Sequence, residues 1–178
     1  INEDLCDAIT RHDAEEVTRL LEAGAPLNEP DVWGRLPLIV AAREGDVDGV
    51  KVLLARGADV NAADRYGGTV LSEAVRCSDA SEGDHRAVVA VLLECGAPVD
   101  GALFLAAQNN ALDLARLLVE TGADPRVDRS GRDALWEAAF NGHDEMARLL
   151  AEAELSRPGG DPTRRLLARA STGELDQD

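Results

Sequence analysis

The residues that could carry chemistry are few and scattered. Three histidines, His12, His85 and His143, and three cysteines, Cys6, Cys77 and Cys95, are the natural nucleophile, proton-transfer or metal-ligand candidates. A zinc site needs four such ligands at close spacing, and neither Cys6 with His12 nor Cys77 with His85 extends to a set of four. The histidines fall at equivalent turns of different segments, too far apart to converge on one substrate. The G-x-S-x-G elbow, the phosphate loop and the H-E-x-x-H helix are all missing from the sequence. We therefore expect no catalytic centre, no metal and no cofactor. An odd cysteine count without C-x-x-C spacing fits reduced thiols, and so a cytoplasmic setting.

The residues suited to recognition are more telling. Aromatics make up 3% of 178 residues, yet Trp33 and Tyr66 stand in polar, glycine-containing stretches with arginines beside them. Trp, Tyr and Arg dominate interface hot spots. The formal net charge of −16 works against nucleic acid and anionic membranes, because phosphate binding needs clustered Lys and Arg. There is no apolar run near 20 residues and no secretory signal, so a soluble protein is expected.

The elements that position these residues are set by an internal repeat. The phrase L-L-E-A-G-A-P-L-N at Leu20 to Asn28 recurs at Leu53 to Asn61, Leu92 to Asp100 and Leu118 to Pro125. Its glycines, Gly24, Gly57, Gly96 and Gly122, are 33, 39 and 26 residues apart. A second phrase precedes each: Leu5 to Ala8, Leu38 to Ala42, Leu71 to Ala74, Leu103 to Ala107 and Leu135 to Ala139. Its leucine leads the glycine by 19 residues in three cases and by 25 in the third repeat, so six residues, Ser78 to Gly83, are inserted there as a mobile polar loop. About seven residues are missing between Gly96 and Leu103.

Each unit reads as two short helices. The first carries small residues such as Ala41, Ala42, Ala106, Ala107, Ala138 and Ala139 for close helix approach. The second carries an apolar stripe such as Val47, Val50, Leu53 and Leu54. Gly45 and Gly142 separate the pair, and the four repeat glycines close the second helix in a left-handed conformation. Asp31 to Arg35, Asp64 to Gly68 and Asp128 to Arg132 supply exposed turns.

With D-V-W-G-R-L-P-L-I-V-A-A-R-E-G-D at Asp31 to Asp46, V-L-L-A-R-G-A-D-V-N at Val52 to Asn61 and D-R-S-G-R-D-A-L-W-E-A-A-F-N-G-H at Asp128 to His143, the chain resembles the ankyrin-repeat proteins over residues 1–153. The resemblance implies an all-α solenoid of about five helix-turn-helix repeats with short β-turn fingers, at 1–30, 31–63, 64–100, 101–126 and 127–153. One repeat carries the insertion. The fourth passes from Val99 and Asp100 into its helix and lacks its finger. Leu36-Pro37-Leu38 and Thr69-Val70-Leu71 are what remains of the family's T-P-L-H. Residues 154–178 read as a cap helix, Pro162 to Ala170, and a tail, and Glu154 replaces the closing glycine on a terminal face that meets water.

The resemblance also implies a protein partner, of unknown identity, bound along the concave face of finger tips and first helices by a monomer. By position, those residues are Val32, Trp33, Arg35, Arg43 and Glu44, then Arg65, Tyr66 and Arg76, then Gln108 and Asn109, then Arg129, Ser130, Arg132, Phe140 and Asn141. Trp33 and Tyr66 either face the partner or fold back on neighbouring fingers. Trp136 and Phe104 take the family's histidine position and are expected in the core.

Asp13, Glu15, Glu16, Asp46, Asp48, Glu82, Asp84, Asp113, Asp144 and Glu145 fall at the starts of second helices. They line up as a docking strip for a basic partner, the pattern of an acidic inhibitor or immunity protein of a basic, nucleic-acid-acting enzyme. Carboxylates at helix N-termini also have a local use, each worth about 0.3–1 kcal/mol against the helix dipole.

Overall fold

The computed structural model describes residues 2–78, 83–99, 101–126 and 133–156. Among these are ten helices, in two compact units, Ile1–Pro98 and Val99–Asp178. The fold is all-α, and each repeat is a helix pair.

Unit 1 holds three pairs: α1 (Asn2–Thr10) with α2 (Ala14–Glu22), α3 (Pro37–Glu44) with α4 (Val47–Ala55), and α5 (Val70–Arg76) with α6 (His85–Glu94). First helices pack in a row, α1 on α3 and α3 on α5, and second helices follow as α2, α4 and α6. Small side chains make this possible: Ala8, Ala41, Ala42 and Ala74 are fully buried. Val17, Leu20, Val50, Leu53, Val88 and Leu92 fill the space between rows. Each buried Leu or Val contributes about 1.5–3 kcal/mol, which no single pair could collect without a neighbour to bury it.

The punctuation is regular. Gly24, Gly57 and Gly96 take φ of 84°, 92° and 81°, and the next residues, Ala25, Ala58 and Ala97, return their N–H groups to Leu20, Leu53 and Leu92. Between the two helices of a repeat the same left-handed step appears at Gly45, φ 67°. His12 makes it at φ 54° without being glycine. Second helices start on aspartates: Asp13, Asp46 and Asp84 accept from the backbone N–H of Glu16, Gly49 and Ala87 at 3.0, 2.9 and 2.9 Å. The acidic positions at these helix starts thus have a local structural use.

The insertion ends on a defined seat. Gly83 lies so close to repeat 2 that a Cβ there would sit 2.1 Å from the Glu44 carbonyl oxygen, and one on Gly45 would sit 2.6 Å from Gly83 Cα. The Asp84 N–H donates to the Gly45 carbonyl at 3.2 Å, and the buried His85 ring places Nε2 3.0 Å from the Arg43 carbonyl oxygen. Residues 79–82, the rest of the expected mobile loop, lie outside the described residues.

Unit 2 holds α7 (Ala102–Gln108) with α8 (Leu112–Glu120) and α9 (Ala134–Phe140) with α10 (Asp144–Leu155). α7 packs on α9 and α8 on α10, around Ala106, Ala107, Ala115, Leu118, Ala138, Met146 and Leu150. α7 begins directly after Gly101, at φ 78°, with no finger before it. Asn110 and Gly142 make the left-handed step at φ 55° and 73°. Neither Ala111 nor His143 caps its second helix with a side chain.

Expectations for four residues are corrected here. Trp136 is 41% exposed rather than core. Ile39, at the same place in α3, is 4% exposed because α1 and α5 flank α3, whereas α9 packs chiefly against α7 and α10. Phe104 is half-buried, and Ala139 is exposed. Glu154 does not meet water: α10 continues through it, the side chain is 3% exposed, and neither carboxylate oxygen has a hydrogen-bond partner among the described residues. The expected cap helix at Pro162 to Ala170 lies outside the described residues.

Candidate protein-binding face

The two described fingers, both in unit 1, are built alike. Asp31 accepts the N–H of Trp33 and of Arg35 on Oδ1, at 2.9 and 2.8 Å, and its own N–H donates to the Arg35 carbonyl at 2.9 Å. Asp64 repeats this with the N–H groups of Tyr66 and Gly68, both at 2.8 Å, and with the Gly68 carbonyl at 2.9 Å. Gly34 and Gly67 supply the left-handed residue, φ 79° and 80°. An aspartate that organises its own turn leaves the second residue after it, Trp33 or Tyr66, projecting from the tip.

Arginines hold both rings. The Arg35 guanidinium lies 4.7 Å from the Trp33 ring centroid and the Arg65 guanidinium 5.2 Å from that of Tyr66. Arg65 also donates to the Trp33 carbonyl at 2.9 Å, joining the fingers. The rings remain open, Trp33 at 51% and Tyr66 at 83%, with Val32 at 78% beside them. Between the fingers and α3 lies a hollow of about 90 Å³ whose lining includes Trp33, Arg35, Arg43, Arg65 and Tyr66. Five sequence-predicted residues thus share one small site.

The arginines differ in how far they are committed. Arg35 donates to Asp31 Oδ2 at 2.6 Å and to Asp7 at 2.8 Å, tying finger to first repeat. Burial works to lower its pKa, but these two carboxylates outweigh it and raise it. Burial likewise works to raise Asp31, while the Arg35 N–H, the Arg35 guanidinium and the Trp33 N–H hold it below the usual carboxylate range. Beneath them Cys6 is wholly buried, and burial first, then Asp31, pushes its thiol up to about 12, so it is inert as a nucleophile. Arg43 and Arg76 share one carboxylate, Glu73, with Arg43 Nε 3.8 Å from Oε2 and Arg76 bonded to both oxygens. The Glu73 hydrogen bond is also the main reason the Arg76 pKa is raised.

In unit 2, Gln108 is exposed and donates to Glu137 Oε1 at 3.3 Å, and Asn141 donates to the same oxygen at 3.1 Å. Phe140 is 71% exposed and stacks on Trp136, centroids 4.7 Å apart. Arg129, Ser130 and Arg132 lie outside the described residues. Glu73 and Glu137, on which these side chains converge, were passed over by the sequence reading; the signal was their shared place in Leu71-Ser72-Glu73-Ala74 and Leu135-Trp136-Glu137-Ala138.

Among the described residues no group of three or more His, Cys, Asp and Glu is arranged to hold a metal ion, and no helix is long and apolar enough to cross a membrane. The site in unit 1 consists of exposed rings, guanidinium groups held by carboxylates, and backbone turns, which suits recognition of another protein surface.

Comparison with known proteins agrees with the repeat. A family profile described as ankyrin repeats (3 copies) matches residues 5–101 and again residues 78–163. The chain is 33% identical over 147 residues to the ankyrin repeat and KH domain-containing protein mask-1 of Caenorhabditis elegans, covering 78% of this chain and 5% of that one. It is 30% identical over 166 residues to the ankyrin repeat protein nuc-2 of Neurospora crassa, 88% of this chain and 15% of that one. The potassium channel KOR1 of Oryza sativa subsp. japonica is 44% identical over 73 residues, 41% of this chain and 8% of the channel. The chain thus spans 15% or less of the length of these relatives. With the profile matched over most of its length, and with helix pairs, left-handed turns and two fingers among the described residues, the chain belongs to the ankyrin-repeat family.

Proposed function

We propose that this chain is a non-enzymatic binding module that grips a protein partner with the finger tips and first helices of unit 1, the face that is concave in ankyrin proteins. Ankyrin repeats are generally protein-protein interaction modules, and the observation that supports this face is the pair of open rings, Trp33 at 51% and Tyr66 at 83% exposure. Arg35 and Arg65 hold those rings in place before any partner arrives, so little side-chain entropy remains to be lost on binding. Arg43 and Arg76 extend the surface along α3 and α5, and Gln108 and Phe140 carry the same positions into unit 2.

The electrostatic alternative, an acidic inhibitor of a basic enzyme, draws on the net charge of −16. Its strip is partly spoken for, since Asp13, Asp46 and Asp84 cap their own helices. The two readings separate in an affinity capture from native lysate, washed at low and high salt and quantified by mass spectrometry. The face proposed here predicts a partner retained at high salt and depleted about thirtyfold or more by Trp33→Ala with Tyr66→Ala, each hot-spot truncation being worth about 2 kcal/mol. A partner that ignores the double substitution and leaves at high salt would favour the acidic strip.

A further inference from the structure

Unit 2 contains a buried carboxylate that the described residues only half answer. Glu137 is 5% exposed on α9, with Oε1 bonded to two neutral amides, Gln108 and Asn141, and Oε2 buried with no hydrogen-bond partner among the described residues. The same place in the third repeat holds Glu73, 4% exposed, and there both oxygens meet guanidinium groups. Aligning the repeats locates the difference. Three residues after the glutamate, Arg76 becomes Phe140, and in the preceding repeat Arg43 becomes Gln108. A buried carboxylate held by neutral donors alone keeps its charge uncompensated, whereas one met by a guanidinium fork does not.

What surrounds Glu137 is suited to supplying that fork from outside. Phe140 and Trp136 stack nearly parallel, 11° between planes, and stand 71% and 41% exposed on the same helix as the carboxylate. A planar cation is attracted to an aromatic face and is weakly hydrated enough to leave water for it. Gln108 is exposed and holds Glu137 by a long bond of 3.3 Å, so it is the side chain that gives way.

We propose that this part of α9 is a docking point for an arginine of a basic segment in a partner protein. Its guanidinium lies over Phe140 and directs its N–H groups to Glu137, taking the place that Arg76 fills in unit 1. Arginine is selected over lysine because only a planar fork serves the ring and the carboxylate together. The net charge of −16 speeds the approach of such a segment. This site does not depend on the hollow between Trp33 and Tyr66.

The test is an NMR titration of the ¹⁵N-labelled full chain with an acetylated, amidated nonapeptide of three Gly-Ser-Arg units, alongside its lysine counterpart. The arginine peptide should shift the Trp136 indole N–H and the Glu137 and Asn141 amides, and bind about tenfold more tightly than the lysine peptide, the difference one charge-assisted hydrogen bond makes. Glu137→Gln should weaken it about tenfold while removing one of 34 acidic residues, leaving the diffuse attraction nearly intact. Phe140→Arg should abolish the shifts while keeping the fold, since it reproduces the arrangement of Glu73 and Arg76. Trp33→Ala with Tyr66→Ala should leave them unchanged. Equal binding of both peptides, or indifference to Glu137→Gln, would reduce the effect to diffuse charge and overturn the proposal. A tenfold gain on Arg132→Ala would overturn it differently, by showing that the chain's own arginine already occupies the place.

Discussion

Glu73 and Glu137 hold the same position in their repeats, are buried to the same degree, and end in opposite electrostatic circumstances. In unit 1 two arginines close over the carboxylate; in unit 2 two amides touch one oxygen and leave the other bare. The helix pair is the same in both, so the backbone does not decide the outcome. Two variable positions do, one a turn further along the helix and one on the preceding repeat. A repeat architecture thus separates what makes the stack from what the stack recognises.

The largest effect expected from contrasting the units concerns a turn. Gly45 and Gly142 adopt the same left-handed step, φ 67° and 73°, but a Cβ on Gly45 would collide with the backbone of Gly83, whereas one on Gly142 meets nothing within 4 Å. Gly142→Ala should therefore cost only the left-handed strain, about 1 kcal/mol. Gly45→Ala adds displacement of the insertion's anchored end, for a total of about 3 kcal/mol. Urea unfolding followed by circular dichroism measures both. Equal losses would mean that the seat of Gly83 contributes nothing to stability.

How much of this was legible in the sequence depends on whether a feature is local. Gly24, Gly57, Gly96 and Gly122 declared themselves because a left-handed turn needs a residue without Cβ, and the recurring phrase around them fixed the repeat. His12 and Asn110 take the same backbone without glycine, so only alignment against Gly45 and Gly142 finds them. The finger tips were legible through Asp31 and Asp64, each of which organises its own turn within five residues. Arg35 was read as a contact residue of the binding face, and its bonds to Asp31 and to Asp7, 28 positions away, could not be read from the finger alone. Trp136 was misplaced because its burial depends on what packs on α9, not on its own repeat. Position within a repeat is a local property, whereas satisfaction of a charge or ring also depends on side chains of the neighbouring repeat.

A middle-sized effect follows from the carboxylates themselves. Glu73→Gln removes the buried anion that Arg43 and Arg76 share, and because both guanidinium groups are about half exposed it should cost about 1.5 kcal/mol. Glu137→Gln removes a charge that no guanidinium answers among the described residues, keeps an acceptor for Gln108 and Asn141, and should change stability by no more than about 0.5 kcal/mol. Phe140→Arg supplies what Arg76 supplies but removes the ring stacked on Trp136, so it should change stability by no more than about 0.5 kcal/mol. If the two glutamine substitutions cost the same in denaturant titrations, the arginines of unit 1 and the amides of unit 2 are equivalent, and the contrast between the columns is wrong.

The smallest effect lies at the helix starts, where unit 1 has Asp13, Asp46 and Asp84 and unit 2 has Ala111 and His143. Ala111 already has the backbone of a capping residue, φ −80° and ψ 75°, against −85° and 75° for Asp84. Its methyl group cannot accept a hydrogen bond, so α8 has no side-chain cap at its N-terminus. Ala111→Asp should place a carboxylate oxygen within reach of the Leu114 N–H without moving the chain, and raise stability by about 1 kcal/mol. Asp84→Ala should cost about the same. His143 is the poorer place to try, because its Nδ1 lies 2.9 Å from the Ala107 carbonyl oxygen and substitution would break that contact between repeats. A loss at Asp84 with no gain at Ala111 would show that an aspartate cap works only where its repeat already supports it, and that the acidic starts of unit 1 are not interchangeable parts of the repeat.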